Sequence, residues 1–187
     1  TEWDGQRLLI LEDIDAAGYD RRRTDVTPDQ LTACIRWLAA FHATFLGEKH
    51  DQLPGADDLW DKGTYWHLQT RPDEFAALED GPLKRAAHAI DAALDASPYQ
   101  TILHGDAKLA NFCFTHDHRV AAVDFQYVGP GPGVKDLAYL VGSCLAPDDC
   151  FALETQVLDT YFAALRKALA EQHHPADASA LEANWRR

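Results

Sequence analysis

The sequence predicts an α+β protein that is mainly helical, with one small β-hairpin. Three observations carry that prediction. Residues 27–47, "TPDQLTACIRWLAAFHATFLG", combine a helix-start signal with an apolar stripe at helical spacing. Residues 111–125, "NFCFTHDHRVAAVDF", place two short apolar runs around a polar turn, the pattern of a hairpin. Two further helical stretches, "KDLAYLVGSCL" and "DDCFALETQVLDTYFAALRKALAEQ", follow a glycine–proline cluster.

In chain order, residues 6–14 ("QRLLILEDI") read as a buried strand ending in an acidic pair. "AAGYDRRRTDV" is a loop with a glycine and a basic run. The first helix has Thr27 as N-cap, Pro28 at its first position and Gln30 to complete a capping box. Leu31, Ile35, Leu38, His42 and Phe45 form its apolar stripe, and Gly47 can end it. His42 on that stripe reads as a hydrogen-bonded core histidine. Residues 50–72 are irregular and rich in aromatics, with Trp60, Tyr65 and Trp66. "PLKRAAHAIDAALDA" makes a second helix behind Gly81-Pro82, and "YQTILHGD" a short strand. "GPGPG" (129–133) is a rigid turn cluster, and a last helix begins near Ser179. No internal repeat is visible.

Composition narrows the function classes. Seventeen Lys and Arg against thirty Asp and Glu give a formal net charge of −13, which argues against a general nucleic-acid binder. No run of eighteen apolar residues is present, so no membrane-spanning helix is expected. The four cysteines, Cys34, Cys113, Cys144 and Cys150, lack CxxC spacing and read as free thiols of a reducing, cytoplasmic setting. "HDH" at 116–118 has ligand-type residues but falls at the hairpin turn without a cysteine pair, so a solvated turn is favoured over zinc.

The chemistry concentrates in "HGDAKLANFCF", residues 104–114. A strand delivers His104, Gly105 and Asp106; a loop carries Lys108 and Asn111; the hairpin ends at Asp124. Polar groups therefore converge at one end of a small sheet. Asp124 and the amide oxygen of Asn111 can share a hard cation such as magnesium. Asp106 then remains to take the proton of an attacking hydroxyl. Lys108 places a positive charge beside a transferring phosphoryl group.

The ordered set "HGDAKLAN…VDFQ" resembles the catalytic loop and magnesium segment of protein-kinase-like phosphotransferases. His104, Asp106 and Asn111 match the loop H-R-D-x-x-x-x-N, and Asp124-Phe125 matches the start of D-F-G. Gly105 replaces the Arg and Gln126 the Gly. Both departures are similar to the aminoglycoside phosphotransferase and choline-kinase-like families. "DFQ" followed by "KDLAYLVGSCL" looks closest to the ecdysteroid-kinase-like branch. The resemblance implies the helical C-terminal lobe of a kinase, with catalytic loop 104–111 and metal segment 124–126. It further implies ATP and Mg2+ as cofactors, His104 and Asp136 as structural supports of the loop, and Glu12, Asp13 and Ile14 as the hinge bordering the adenine.

Neither a Gly-rich phosphate loop nor a V-A-I-K-like strand precedes that hinge. The expectation is that they lie upstream of Thr1. Residues 1–15 would then be hinge strand and linker, 16–187 the helical lobe, and the chain inactive by itself. The implied function is phosphorylation of a small-molecule hydroxyl. A catalytically inactive kinase-like binding module and a metal-dependent phosphohydrolase are the alternatives. A protein substrate is disfavoured because no "APE" follows Asp124. Trp60, Tyr65, Trp66 and Tyr127 would suit a cationic acceptor through cation–π contact. Packing of the tryptophans between helices is the favoured alternative, and a sterol-like or sugar hydroxyl fits equally well.

Overall fold

Helix α1 (Pro28–Thr44) begins as its sequence dictates. The Thr27 side chain accepts from the Gln30 backbone N–H, and the Gln30 side chain accepts in return from the Thr27 N–H at 3.1 Å. In the computed structural model, which describes residues 2–3, 6–7, 10–47, 58–65 and 67–186, α1 packs along the long helix α5 (Pro147–Glu171). Leu31, Ile35 and Leu38 of the one and Val157, Tyr161 and Leu165 of the other are buried in a common core. Helix α6 (Ala178–Trp185), capped by Asp177, closes that core with Leu181 and Trp185. Helix α4 (Val134–Cys144) contributes Leu137 and Leu140. Helices α2 (Pro72–Ala77) and α3 (Pro82–Asp95) stand apart from this layer and bury no side chain fully.

The strands are short and paired in twos, all antiparallel. Strand β1 (Glu2–Trp3) pairs with β2 (Gln6–Arg7). Strand β3 (Thr101–Leu103) pairs with β6 (Gly129–Gly131), with Thr101 opposite Gly131. Strand β4 (Phe112–Phe114) pairs with β5 (Val120–Ala122), with Phe112 opposite Ala122. Arg21 adds a further bridge to the free side of Phe114, its N–H donating to the Phe114 carbonyl at 3.1 Å and its carbonyl accepting at 2.9 Å. The α+β, mainly helical reading therefore stands, hairpin included.

Two local expectations are corrected. Residues 6–14 form strand only at Gln6–Arg7 among the described residues, and Ile10 and Leu11 are exposed rather than buried. The described part of this segment has no ladder partner beyond β1, and an apolar run is buried only where another layer covers it. "GPGPG" is a strand at its start, not a turn. Gly129 lies so close to Trp60 that a Cβ there would meet the Trp60 carbonyl at 2.5 Å, so a strand of small residues is what fits. Beyond the irregular stretch the structure adds helix α2, which the sequence reading did not name; Pro72 sits at its start and Asp73 and Glu74 fill its first turn. All four cysteines are free thiols, Cys34 and Cys113 buried. No helix among the described residues is long and apolar enough to cross a membrane.

Leu38 is fully buried between α1 and α5. Leu38→Ala should lower unfolding free energy by about 2–5 kcal/mol, read from urea denaturation. Thr27→Ala, which removes only the cap, should cost about 1 kcal/mol.

Candidate active site

The site is built where β3 leaves the sheet. Gly105 has φ +82, and a Cβ on it would lie 1.9 Å from the Tyr127 carbonyl oxygen, so both conformation and space require glycine. The sharp turn aims two successive N–H groups at one carboxylate. His104 N–H donates to Asp136 Oδ2 at 2.7 Å and Gly105 N–H to Oδ1 at 3.0 Å. Asp136 lies in the first turn of α4 and is 1% exposed. Its Oδ2 also accepts from His42 Nε2 of α1 at 3.1 Å, and His42 Nδ1 meets the Tyr161 hydroxyl of α5 at 2.8 Å. Three helices thus converge on the turn through one buried carboxylate.

His104 is buried, and both its ring nitrogens are engaged. Nε2 donates to the Val123 carbonyl at 2.9 Å, and Nδ1 accepts from the Asp106 N–H at 3.2 Å. A carbonyl only accepts and an amide N–H only donates, so these partners define a neutral ring with its proton on Nε2. Burial lowers its pKa below the ordinary histidine value, against the opposing charge of Asp136. The ring lies 4.4 Å from the Phe125 ring and pins residues 123–125 to the loop.

Asp106 is 1% exposed. Its Oδ2 accepts from Lys108 Nζ at 2.8 Å and from Asn111 Nδ2 at 3.0 Å. Its Oδ1, also shielded from solvent, has no hydrogen-bond partner. A buried carboxylate oxygen without a donor is costly, and such atoms ask for a reason. The Asn111 amide nitrogen also donates to the Asp106 carbonyl at 2.8 Å. That leaves the Asn111 amide oxygen as its remaining polar atom. A single 3-10 turn at Leu109–Asn111 carries it, held by the Leu109 N–H donating to Ser143 Oγ of α4 at 2.9 Å.

Asp124 stands two residues beyond β5, exposed, with φ 66, a left-handed conformation that Asp tolerates better than most residues. Gln126 Nε2 donates to it at 3.4 Å. The Asn111 carbonyl accepts from the Val123 N–H at 2.9 Å, so Asn111 and Asp124 flank the same end of the hairpin. Their donor set, one carboxylate and one amide oxygen, suits a hard cation that takes its other ligands from phosphate and water. Among the described residues no three His, Cys, Asp or Glu side chains gather as a metal site.

The expected aromatics lie beside this loop, except Trp66, which falls outside the described residues. Trp60 stacks on Tyr127 at 5.6 Å, and Tyr65 meets Tyr127 edge-on at 5.2 Å. The Tyr65 N–H donates to the Gly105 carbonyl at 2.6 Å. Three residues the sequence reading passed over belong here. The Arg71 guanidinium sits 4.5 Å above the Tyr65 ring, and Glu74 accepts from the Tyr65 hydroxyl at 2.6 Å. Tyr139 stacks on Tyr65 at 6.2 Å; burial, the nearby charge of Asp106 and the approach of its phenol to that carboxylate as a hydrogen-bond donor raise its pKa above the ordinary tyrosine value. Tyr139 was legible in principle, lying three positions after Asp136 and therefore on the same helix face. Arg71 and Glu74 carried no motif.

Glu12, Asp13 and Ile14 are not joined to Asp106 by any described contact. Asp13 Oδ1 instead accepts from the N–H groups of Asp15 and Ala16 at 3.1 and 3.2 Å, closing a turn. Asp15 pairs with Arg22, next to the Arg21 that bridges β4.

Against known proteins, one family model matches, described as a phosphotransferase enzyme family, APH, over residues 2–178. No curated protein and no solved structure matches the chain.

Two outcomes follow from this geometry. Gly105→Ala should lower stability by at least about 1 kcal/mol, because it adds both a disfavoured φ and a clash. The buried imidazoles of His104 and His67 both have lowered pKa values, caused first by burial. Unfolded histidines bind protons near pH 6.5, so below that pH the unfolded state binds more protons and stability declines as pH falls. The urea midpoint should be lower at pH 5.5 than at pH 7.5, and His67→Gln should remove part of that slope.

Proposed function

The chain belongs to this phosphotransferase enzyme family, and from that premise we propose that it transfers the γ-phosphoryl group of ATP to a hydroxyl of a small molecule. The observation that carries the reading is the asymmetry of Asp106. Lys108 and Asn111 hold Oδ2, while Oδ1 has no donor. A general base needs a lone pair within reach of the proton it removes, and a fixed orientation. On this reading the acceptor hydroxyl meets Oδ1, which takes its proton. The acceptor oxygen forms a bond to the γ-phosphorus as the bond to the β,γ-bridging oxygen breaks, leaving ADP.

Lys108 is 39% exposed on its side chain, so it can lean toward a phosphoryl group from its place on Asp106. Asn111 and Asp124 are proposed to hold magnesium, which when bound would neutralise charge on the phosphates. Asn111 meanwhile orients Asp106, so one side chain serves both. Glu12, Asp13 and Ile14 are proposed to border the adenine, supported by the bridge that places the following segment along β4. Asp136 acts at one remove, holding the turn that carries the base.

Neither alternative draws comparable support. A metal-dependent phosphohydrolase would want His104 as a ligand, and both its ring nitrogens are already bonded. An inactive binding module gives no reason for a buried Asp106 whose free oxygen remains unpaired.

Asp106→Asn keeps the shape and removes the proton acceptor. Phosphoryl transfer should fall roughly 10²-fold or more, with ATP binding retained by calorimetry. Asp124→Ala should abolish magnesium-dependent turnover, and Asn111→Ala should weaken it, because the carboxylate supplies most of the attraction. Near-normal turnover of Asp106→Asn would remove it from the role of base.

A further inference from the structure

Helix α3 presents an apolar face that nothing among the described residues buries. Leu83, Ala87, Ile90 and Leu94 recur at helical spacing, yet Leu83 is 60% and Ile90 46% exposed and α3 has no buried residue. Across from it stand Phe75 of α2 and Leu78 just after it, and between the two helices lies a cavity of about 380 Å³. That is the size of a small-ligand pocket, which ordinarily spans about 300–1,000 Å³.

The polar groups on its wall are few. His67 is 5% exposed; its Nε2 makes no hydrogen bond and stands 3.5 Å from Asp91 Oδ1. Arg71 Nε is likewise buried without a hydrogen bond, 3.9 Å from Glu74. Arg71 faces Glu74 and His67 faces Asp91, and the wall leaves two buried nitrogens that can engage a polar group. The pocket also adjoins the catalytic loop. Glu74 accepts from the Tyr65 hydroxyl, and the Tyr65 N–H donates to the Gly105 carbonyl next to Asp106. Ala138 lines the cavity beside Tyr139, whose phenol feels the charge of Asp106. Finally, the Tyr65 face that a cationic acceptor would use is taken by Arg71.

We infer that the α2–α3 cavity receives the body of the acceptor, and that the acceptor is an uncharged alcohol with a hydrocarbon frame rather than an amine or a sugar. The inference rests on the phosphotransferase reading only for the word acceptor; the binding preference stands on the cavity. A hydrocarbon frame would cover the open apolar stripe of α3 and gain stabilisation in proportion to the area removed from water. A sugar would leave its hydroxyls facing leucine and phenylalanine without partners, which is unfavourable.

The test is calorimetric titration of the 187-residue chain with 1-octanol, glucose and choline, none of which requires nucleotide. 1-Octanol should bind measurably and the other two should not. Ala87→Trp, which fills the cavity from a half-buried position, should weaken 1-octanol binding at least tenfold. Leu83→Asp, at an exposed position, should do the same with an unchanged circular dichroism spectrum. Absence of 1-octanol binding, equal binding by both variants, or preferential binding of choline or glucose would each overturn the inference. If 1-octanol binds and both variants lose it, while the protein forms no ADP from ATP with any alcohol, the cavity assignment stands and the phosphotransferase reading fails.

Discussion

The rest of the site depends on the Asp136 carboxylate. It is buried, it accepts from the N–H groups of His104 and Gly105, and it accepts from His42. A buried carboxylate is tolerable only when hydrogen bonds replace the water it has lost. Here those bonds come from the catalytic turn and from α1, with Tyr161 of α5 behind His42. Satisfying one charge therefore fixes how two helices and a loop sit around α4. The requirement also explains why Gly105 must be glycine: the φ that aims its N–H at Asp136 also brings it against the Tyr127 carbonyl.

Asp106 lies two residues further on and is supported in a different way. Its neighbours engage one oxygen and leave the other bare. Rigid placement and an unpaired lone pair are both needed for proton transfer, and a single carboxylate provides both when its oxygens have separate surroundings. Helix α4 braces this arrangement from both ends, through Asp136 in its first turn and Ser143 near its last. The same helix carries Tyr139 toward Asp106 and Ala138 toward the apolar cavity, so it joins the base to the place proposed for the acceptor.

The two halves of the structure differ in how their apolar surface is covered. Helices α1, α4, α5 and α6 bury theirs against one another. Helices α2 and α3 do not, and what they leave open is concave and bordered by a few polar groups. Burial stabilises the first group; exposure in the second is a free-energy cost that a ligand would relieve.

Much of the fold was legible because its signals are local. The capping box at Thr27 and Gln30, the period of Leu31, Ile35 and Leu38, and the run "NFCFTHDHRVAAV" each specify structure through neighbours a few residues apart. The grouping of Asp106, Lys108 and Asn111 was legible for the same reason, since six residues hold it together. What the tertiary structure decided was every feature that depends on distant partners. Gly129–Gly131 became a strand because β3 lay beside it, and Ile10 and Leu11 were left exposed because the described residues supply no layer over them. Arg71 reached Tyr65, and Tyr139 came to face Asp106, through helices whose placement no short motif records. The sequence by itself determined which residues could do chemistry and on which local elements they ride. Which oxygen of Asp106 stays free, and which apolar face stays open, were decided by long-range packing, because both depend on partners brought together only when the helices meet.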